Sequence, residues 1–136
     1  MRNNLAARML IFFSRHRLPI ASRLVMLFLG CRIGARLPAT SILPHPLGIV
    51  IGPGTLIGGN VLIWHQVTII ANGPSSAAPQ IEEGASIGPG AKILGGIRIG
   101  RNARIGANAL VTKDVPAGGS LLEPGGLVDG DEFFPG

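Results

Sequence analysis

The sequence predicts a hexapeptide-repeat β-helix, and two runs of regularly spaced aliphatic residues carry that prediction. Isoleucine or valine stands at every sixth position from Ile81 to Val111, and the same spacing holds from Ile51 to Ile69. An α-helix repeats about every 3.6 residues and a strand about every two, so neither explains this period. Hexapeptides of this kind form the flat faces of a triangular prism, and about 18 residues make one coil. We therefore expect about four stacked coils around a column of aliphatic side chains.

The solenoid is expected to occupy residues 33–116 and to be interrupted once. The interruption is a loop at residues 70–80, which is rich in glycine, proline and serine. In repeat folds, insertions collect on one face, and this is often the binding face. Residues 117–136 are rich in glycine and carry an acidic cluster, so we expect a loosely ordered C-terminal tail there.

Residues 1–32 are predicted to be helical, basic and amphipathic. Pro19 breaks or starts a helix. Two interpretations stay open and are compatible: the helices lie on an anionic membrane surface, or they pack on the solenoid or on another subunit. The first apolar stripe consists of Leu5, Met9, Phe12 and Phe13, and the second of Ile20, Leu24, Leu27 and Phe28.

The net charge of +5 is distributed unevenly along the chain. Residues 1–81 contain seven arginines and no acid, whereas residues 82–136 contain five basic and seven acidic residues. The first part is therefore expected to have an anionic neighbour, such as membrane headgroups or a phosphorylated cofactor. Nucleic acid is not expected, because aromatic residues make up only 4% of the chain and no binding motif is present.

Cysteine usage bears on the compartment. Cys31 is the one cysteine, so there is no disulfide framework, and we interpret it as a small buried hydrophobe. A cytoplasmic protein is expected, with residues 1–30 as a candidate for peripheral contact with the inner face of the membrane.

His45 and His65 are the candidate catalytic pair. They are the histidines outside the predicted helices and lie 20 residues apart. In an 18-residue coil this spacing puts them on neighbouring coils, one above the other on the same side of the prism. Loop 70–80 leaves from the coil that carries His65, so it could fold over both. Histidine can take a proton from a hydroxyl and pass it on. The alternative for each is a surface or hydrogen-bonded histidine of the repeat.

A metal site is not predicted. A histidine-based catalytic zinc site generally has three protein ligands. His45 and His65 supply two, and the nearest acids in sequence are Glu82 and Glu83, beyond the loop. A metal-dependent hydratase therefore stays only as an alternative.

Three segments resemble hexapeptide-repeat acyltransferases of the serine acetyltransferase type. They are His-Pro-Leu-Gly-Ile-Val-Ile (45–51), Ile-Gly-Pro-Gly-Ala-Lys-Ile-Leu-Gly-Gly (87–96) and Ile-Gly-Ala-Asn-Ala-Leu-Val-Thr-Lys-Asp-Val-Pro (105–116). The resemblance covers roughly residues 33–116. It implies a left-handed parallel β-helix and a homotrimer with active sites between adjacent subunits. It also implies acetyl-CoA as co-substrate, lying along the coils.

The resemblance also assigns roles to single residues. His45 matches the general base that deprotonates the acceptor hydroxyl. His65, Pro44 and Ala78 are expected to line the acceptor site. The residues expected to bind acetyl-CoA are Gly88, Pro89, Gly106, Ala107 and, for a phosphate group, Lys113.

Two departures from the family pattern bear on the acceptor, and a third bears on the proposed base. The family carries an aspartate where Pro44 stands and a histidine where Ala78 stands, and this chain has no acid before Glu82 to partner His45. In the family, that aspartate and that histidine hold the amino acid acceptor. A saccharide or polysaccharide precursor is therefore the favoured acceptor, with serine O-acetylation in cysteine biosynthesis as the alternative. A non-catalytic trimeric scaffold is the other alternative.

Overall fold

The computed structural model describes residues 3–16, 19–123 and 126–128, and it confirms a parallel β-helix preceded by two helices. The helices are α1 (Leu5–His16) and α2 (Pro19–Leu29), so Pro19 begins the second helix. The strands of the described part are β1 (Arg32–Ile33), β2 (Val50–Ile51), β3 (Leu56–Ile57), β4 (Leu62–Ile63), β5 (Thr68–Ile70), β6 (Gln80–Ile81), β7 (Ser86–Ile87), β8 (Lys92–Leu94), β9 (Arg98–Ile99), β10 (Arg104–Ile105), β11 (Leu110–Val111), β12 (Ser120–Glu123) and β13 (Gly126–Val128).

The strands form three sheets, one for each face of the prism. Sheet A has the order β1-β2-β5-β8-β11, sheet B has β13-β12-β10-β7-β4, and sheet C has β3-β6-β9. Each coil therefore runs from sheet A to sheet C, then to sheet B and back to sheet A. Pairing is parallel except between β12 and β13, and the commonest step between paired residues is 18, as from Val50 to Thr68. In the described part, three coils have a strand in each sheet, and they are flanked by an irregular first coil and a shorter fifth.

The predicted column of aliphatic residues fills the axis. The second residue of the two- and three-residue strands from β1 to β11 is buried. Its neighbours along the chain point outward, because side chains alternate across a strand. The aliphatics of both predicted runs are therefore in the core: Ile51, Ile57, Ile63, Ile69, Ile81, Ile87, Ile93, Ile99, Ile105 and Val111.

Two corners of the prism matter for function. We name the turn from sheet B to sheet A the B–A corner (44–49, 64–67, 88–91 and 106–109). The turn from sheet A to sheet C is the A–C corner (52–55, 71–79, 95–97 and 112–114). Gln66 and Asn108 take a left-handed backbone at the B–A corner, with φ of 56° and 57°. Backbone bonds join successive coils there, for example from Gly90 N to His65 O at 3.0 Å.

The helices cover the N-terminal end of the solenoid through faces that the sequence analysis did not select. α1 buries Ala7, Leu10 and Ile11, whereas the predicted stripe residue Leu5 is exposed. α2 packs against the core through Val25, Met26 and Leu29, and its predicted stripe points away from the protein. Packing on the solenoid end is thus confirmed, but not by the stripes. Neither helix is long and apolar enough to cross a membrane, and none is found elsewhere in the described ranges.

The solenoid continues beyond residue 116, which corrects the predicted start of the tail. β12 pairs with β10, and Leu121 is buried. The step from Arg104 to Ser120 is 16 residues rather than 18, so the period that marks the other coils is lost there. β13 returns antiparallel on β12. The acidic cluster at residues 129–132 lies outside the described residues.

Replacing Gly100 by alanine is expected to destabilise the protein by about 2–3 kcal/mol. A Cβ on Gly100 would collide with the backbone nitrogen of Ala117 on the next coil, so the two coils must move apart. Gly52→Ala is the matched control, because Gly52 follows a core isoleucine in the same way and its nearest contact would be an ordinary 3.5 Å. Urea denaturation measures both. Equal stability of the two variants would contradict this packing.

Candidate active site

His45 and His65 lie beside each other on the B–A corner, on the first and second coils. Their ring centroids are 6.3 Å apart and the ring planes are inclined by 74°. The same 20-residue step separates the bridge partners Ile42 and Leu62, which precede the two histidines. The proximity predicted from their spacing is therefore confirmed. His45 is exposed and His65 is half-buried, so solvent reaches both rings.

The turn that carries His45 is longer than its counterpart on the next coil. Eight residues lead from Leu43 to Ile51, whereas six lead from Ile63 to Ile69. The backbone nitrogen of Leu47 donates to the His45 carbonyl oxygen at 2.8 Å, which closes a tight three-residue turn. This turn takes up the added length and restores the register at β2.

Two asparagines before α1 hold the segment that leads into His45. Asn3 pairs with the backbone as a strand would: its Oδ1 accepts from Leu43 N at 2.8 Å and its Nδ2 donates to Ser41 O at 2.7 Å. Asn4 caps α1 by accepting from the nitrogen of its third residue, Ala7, and donates to Pro44 O at 3.3 Å. The start of α1 is thereby attached to the approach to His45.

The other side of the same turn is attached to the end of α2. Gly48 N donates to the carbonyl of Leu29 at 3.0 Å. The Cys31 thiol donates to Pro46 O at 3.3 Å and accepts from Ile49 N at 3.4 Å. Burial raises the pKa of the Cys31 thiol, so the cysteine is a buried structural group, as predicted.

Trp64 is a residue of this corner that the sequence analysis missed. Its ring centroid lies 6.0 Å from that of His45, at an interplanar angle of 34°. Trp64 is half-buried. The sequence offered one signal for a role at this corner: Trp64 is the single tryptophan of the chain and stands directly before His65. The side chain gives the corner an aromatic wall beside the proposed base.

Four of the five expected acetyl-CoA residues lie on the same corner, on the third and fourth coils. Gly88 and Pro89 follow β7, and Gly106 and Ala107 follow β10. The coils are close here, since a Cβ on Gly88 would come within 2.7 Å of Ala107 N. Glycine, proline and alanine are small residues, so none of these four residues has a large side chain that would cover this part of the corner.

Ala78 and Lys113 do not lie on this corner. Both belong to the A–C corner, which sheet A separates from the histidines. The loop packs there: a Cβ on Gly54 would touch the Ala78 Cβ at 3.5 Å, and one on Gly95 would touch Asn72 at 3.8 Å. The expectation that the loop could fold over His45 and His65 is therefore wrong within one chain. The error arose because strand β5 lies between His65 and the loop.

Glu82 and Glu83 belong to an ion-pair cluster rather than to the histidine corner. Glu82 accepts from Arg98 Nε and forms an ion pair with the same guanidinium, and Glu83 pairs with Arg101 at 3.2 Å. Its hydrogen bond with Arg98 holds the pKa of Glu82 below its usual range. Among the described residues no three histidine, cysteine, aspartate or glutamate side chains come together as metal ligands.

Comparison with known proteins agrees with this geometry. The family described as "Bacterial transferase hexapeptide (six repeats)" matches residues 78–113. Serine acetyltransferase 1, chloroplastic, of Arabidopsis thaliana is 41% identical over 102 residues, which are 73% of this chain and 32% of that protein. The chain thus spans about a third of that curated relative.

Solved structures give the same result. The soybean serine acetyltransferase apoenzyme superposes with a TM-score of 0.68 at 34% identity, over 90% of this chain and 55% of that one. The Neisseria gonorrhoeae serine acetyltransferase in complex with serine gives 0.62 at 32% identity, over 77% and 46%. The chain is therefore a hexapeptide-repeat protein with a left-handed parallel β-helix. In sequence and in fold the chain is similar to serine acetyltransferases over the part that the comparisons cover.

Replacing Arg98 by glutamine should raise the pKa of Glu82 toward its ordinary value, because the hydrogen bond that favours the carboxylate is lost. A carboxyl group whose pKa is lowered on folding stabilises the folded protein at pH values above its unfolded-state pKa. This stabilisation is lost as the pH falls through its folded-state pKa. Carboxyl NMR titration measures the shift. Lys92→Gln removes an outward charge from the same coil as a control, and an unchanged Glu82 pKa in Arg98→Gln would refute the assignment.

Proposed function

We propose that this chain transfers an acetyl group from acetyl-CoA to a hydroxyl group of a small acceptor, with His45 as the general base. The observation that carries the proposal is the arrangement of the B–A corner. It presents two histidines on neighbouring coils, and the next two coils carry the small residues glycine, proline and alanine there. Serine acetyltransferases, which this chain resembles in sequence and in fold, use acetyl-CoA.

The proposed reaction needs one proton carrier. The His45 imidazole takes the proton from the acceptor hydroxyl as its oxygen attacks the thioester carbonyl. The carbon–sulfur bond then breaks, and the departing CoA sulfur receives that proton from the imidazolium. We expect His65, whose ring centroid lies 6.3 Å from that of His45, to orient the acceptor. The exposure of His45 gives both substrates access to it from solvent.

We propose L-serine as the acceptor, which reverses the preference for a saccharide drawn from the sequence. The relatives support serine, since one of the superposed enzymes was solved with serine bound. A saccharide is the second candidate, and a specific observation favours it: Trp64 lies beside His45, and aromatic faces pack well against the apolar face of a sugar ring. Pro44 and Ala78, which replace polar groups of the family, favour it as well.

We further propose that the site is completed between subunits of a homotrimer. Lys113 and Ala78 stand on the A–C corner, away from His45 in the same chain. In a ring of identical subunits, one corner of each protomer meets a different corner of the next. Such a heterologous contact would bring the A–C corner of one subunit to the B–A corner of its neighbour. The loop could then cover the histidines of the adjacent chain.

His45→Ala is expected to lower acetyl transfer by about 10²–10⁴-fold, because the base is lost. A thiol-release assay with acetyl-CoA measures turnover on L-serine and on a panel of sugars. His16→Ala is the matched control, since His16 lies on α1 and contacts Phe12. Turnover on sugars alone would shift the acceptor assignment to the second candidate. Equal inactivity of wild type and His45→Ala on every acceptor, without CoA binding, would instead indicate a scaffold.

Mixed trimers test whether the site is shared. His45→Ala and Lys113→Glu chains are co-expressed with different tags and purified through both tags. Each mixed trimer then contains one interface with both residues intact, so about one third of the wild-type rate is expected at limiting acetyl-CoA. His45→Ala mixed with His65→Ala is the control. Both residues lie on one corner of one chain, so no activity should return. Recovery in neither mixture would exclude a shared site.

A further inference from the structure

The outward face of α2 is an exposed apolar surface. It consists of four side chains one or two helical turns apart: Ile20, Leu24, Leu27 and Phe28. They are 76%, 62%, 80% and 90% exposed. No residue of α2 is buried, and only its opposite side, through Val25, Met26 and Leu29, packs against the core. The helix is therefore held with its most apolar side in solvent, which costs free energy unless another surface covers it.

The surroundings of this face are strongly basic. Arg23 lies at the edge of the face, and with Arg32 it lines a groove of about 460 Å³ that also contains Leu27. A second groove, of about 300 Å³, lies against the packed side of α2 and is lined by Arg15 and Arg36 together with Ser22 and Met26. These arginines are exposed, and residues 1–81 contain no acid to neutralise them. An apolar stripe bordered by cations is therefore continuous with a groove able to take anions.

We infer that α2 lies in the surface of an anionic lipid bilayer. The outward face would enter the boundary between headgroups and acyl chains, and Arg23 and Arg32 would bind lipid phosphates. This chemistry matches both properties of the surface at once, because a membrane interface offers apolar and anionic partners a few ångströms apart. The inference is independent of the acceptor and of the transfer reaction.

A second copy of this chain fits the surface less well. Contact between two equivalent α2 faces would place Arg23 and Arg32 against the same residues of the other copy, with no acid nearby. Like charges brought together in this way oppose association. A bilayer with acidic lipids has the opposite charge.

Vesicle flotation tests the inference with the full chain. Wild type is expected to float with vesicles of phosphatidylcholine containing roughly 30% phosphatidylglycerol, and not with phosphatidylcholine alone. Leu24→Ser/Phe28→Ser should weaken binding by about tenfold or more. Arg23→Gln/Arg32→Gln should weaken it on the order of 30-fold, because each arginine near the surface contributes about fivefold.

Matched controls separate this surface from general stickiness or charge. Leu56→Ser/Leu110→Ser removes two exposed leucines of the solenoid, and Lys92→Gln/Arg101→Gln removes two of its cations. Both controls should bind like wild type, and circular dichroism shows that each variant is folded. Absent or lipid-independent flotation of wild type would overturn the inference. Unchanged vesicle binding of the α2 variants would also overturn it. A third contrary outcome is a wild-type oligomer that does not bind vesicles and that Leu24→Ser/Phe28→Ser dissociates.

Discussion

Parallel backbone hydrogen bonding between coils is the constraint on which this structure depends. Strands of two or three residues make few bonds each, so only a stack in register buries the axial column. The pairs Val50–Thr68 and Lys92–Leu110 keep the 18-residue step. The step lengthens to 20 residues across the turn that contains His45 and to 24 across the loop. Since the register is restored afterwards, the added residues must project from the corners of the prism. At the corners they can contact a ligand.

The sequence predicts the parts that obey the period. Each aliphatic residue of the two runs is buried, because a period of six returns each of them to the inward side of a prism face. The proximity of His45 and His65 follows from the same arithmetic, since a difference of two residues from one coil is small within a turn. The left-handedness of the β-helix was expected from the resemblance. The six-residue spacing alone is compatible with either handedness.

The parts that failed prediction are those where the period offers no guide. Leucine, valine and methionine occur all around α2, so its sequence does not distinguish the packed side from the outward one. Assigning Ala78 to the correct corner requires the strands to be counted, because β5 lies between His65 and the loop. The fifth coil escaped notice because its step is 16 residues. Trp64 was overlooked because it stands at an outward position, where the repeat sets no requirement.

The bonds from Asn3 and Asn4 to residues 41–44 have a consequence for the order of folding. They span 38 to 40 residues, whereas neighbouring coils join residues 16 to 24 apart. Closing a longer loop costs more chain entropy, and a solenoid can grow from any pair of coils. We therefore expect the regular coils to form first and α1 to dock on them afterwards. The turn around His45 would then reach its final shape last, which makes a competent active site a late product of folding.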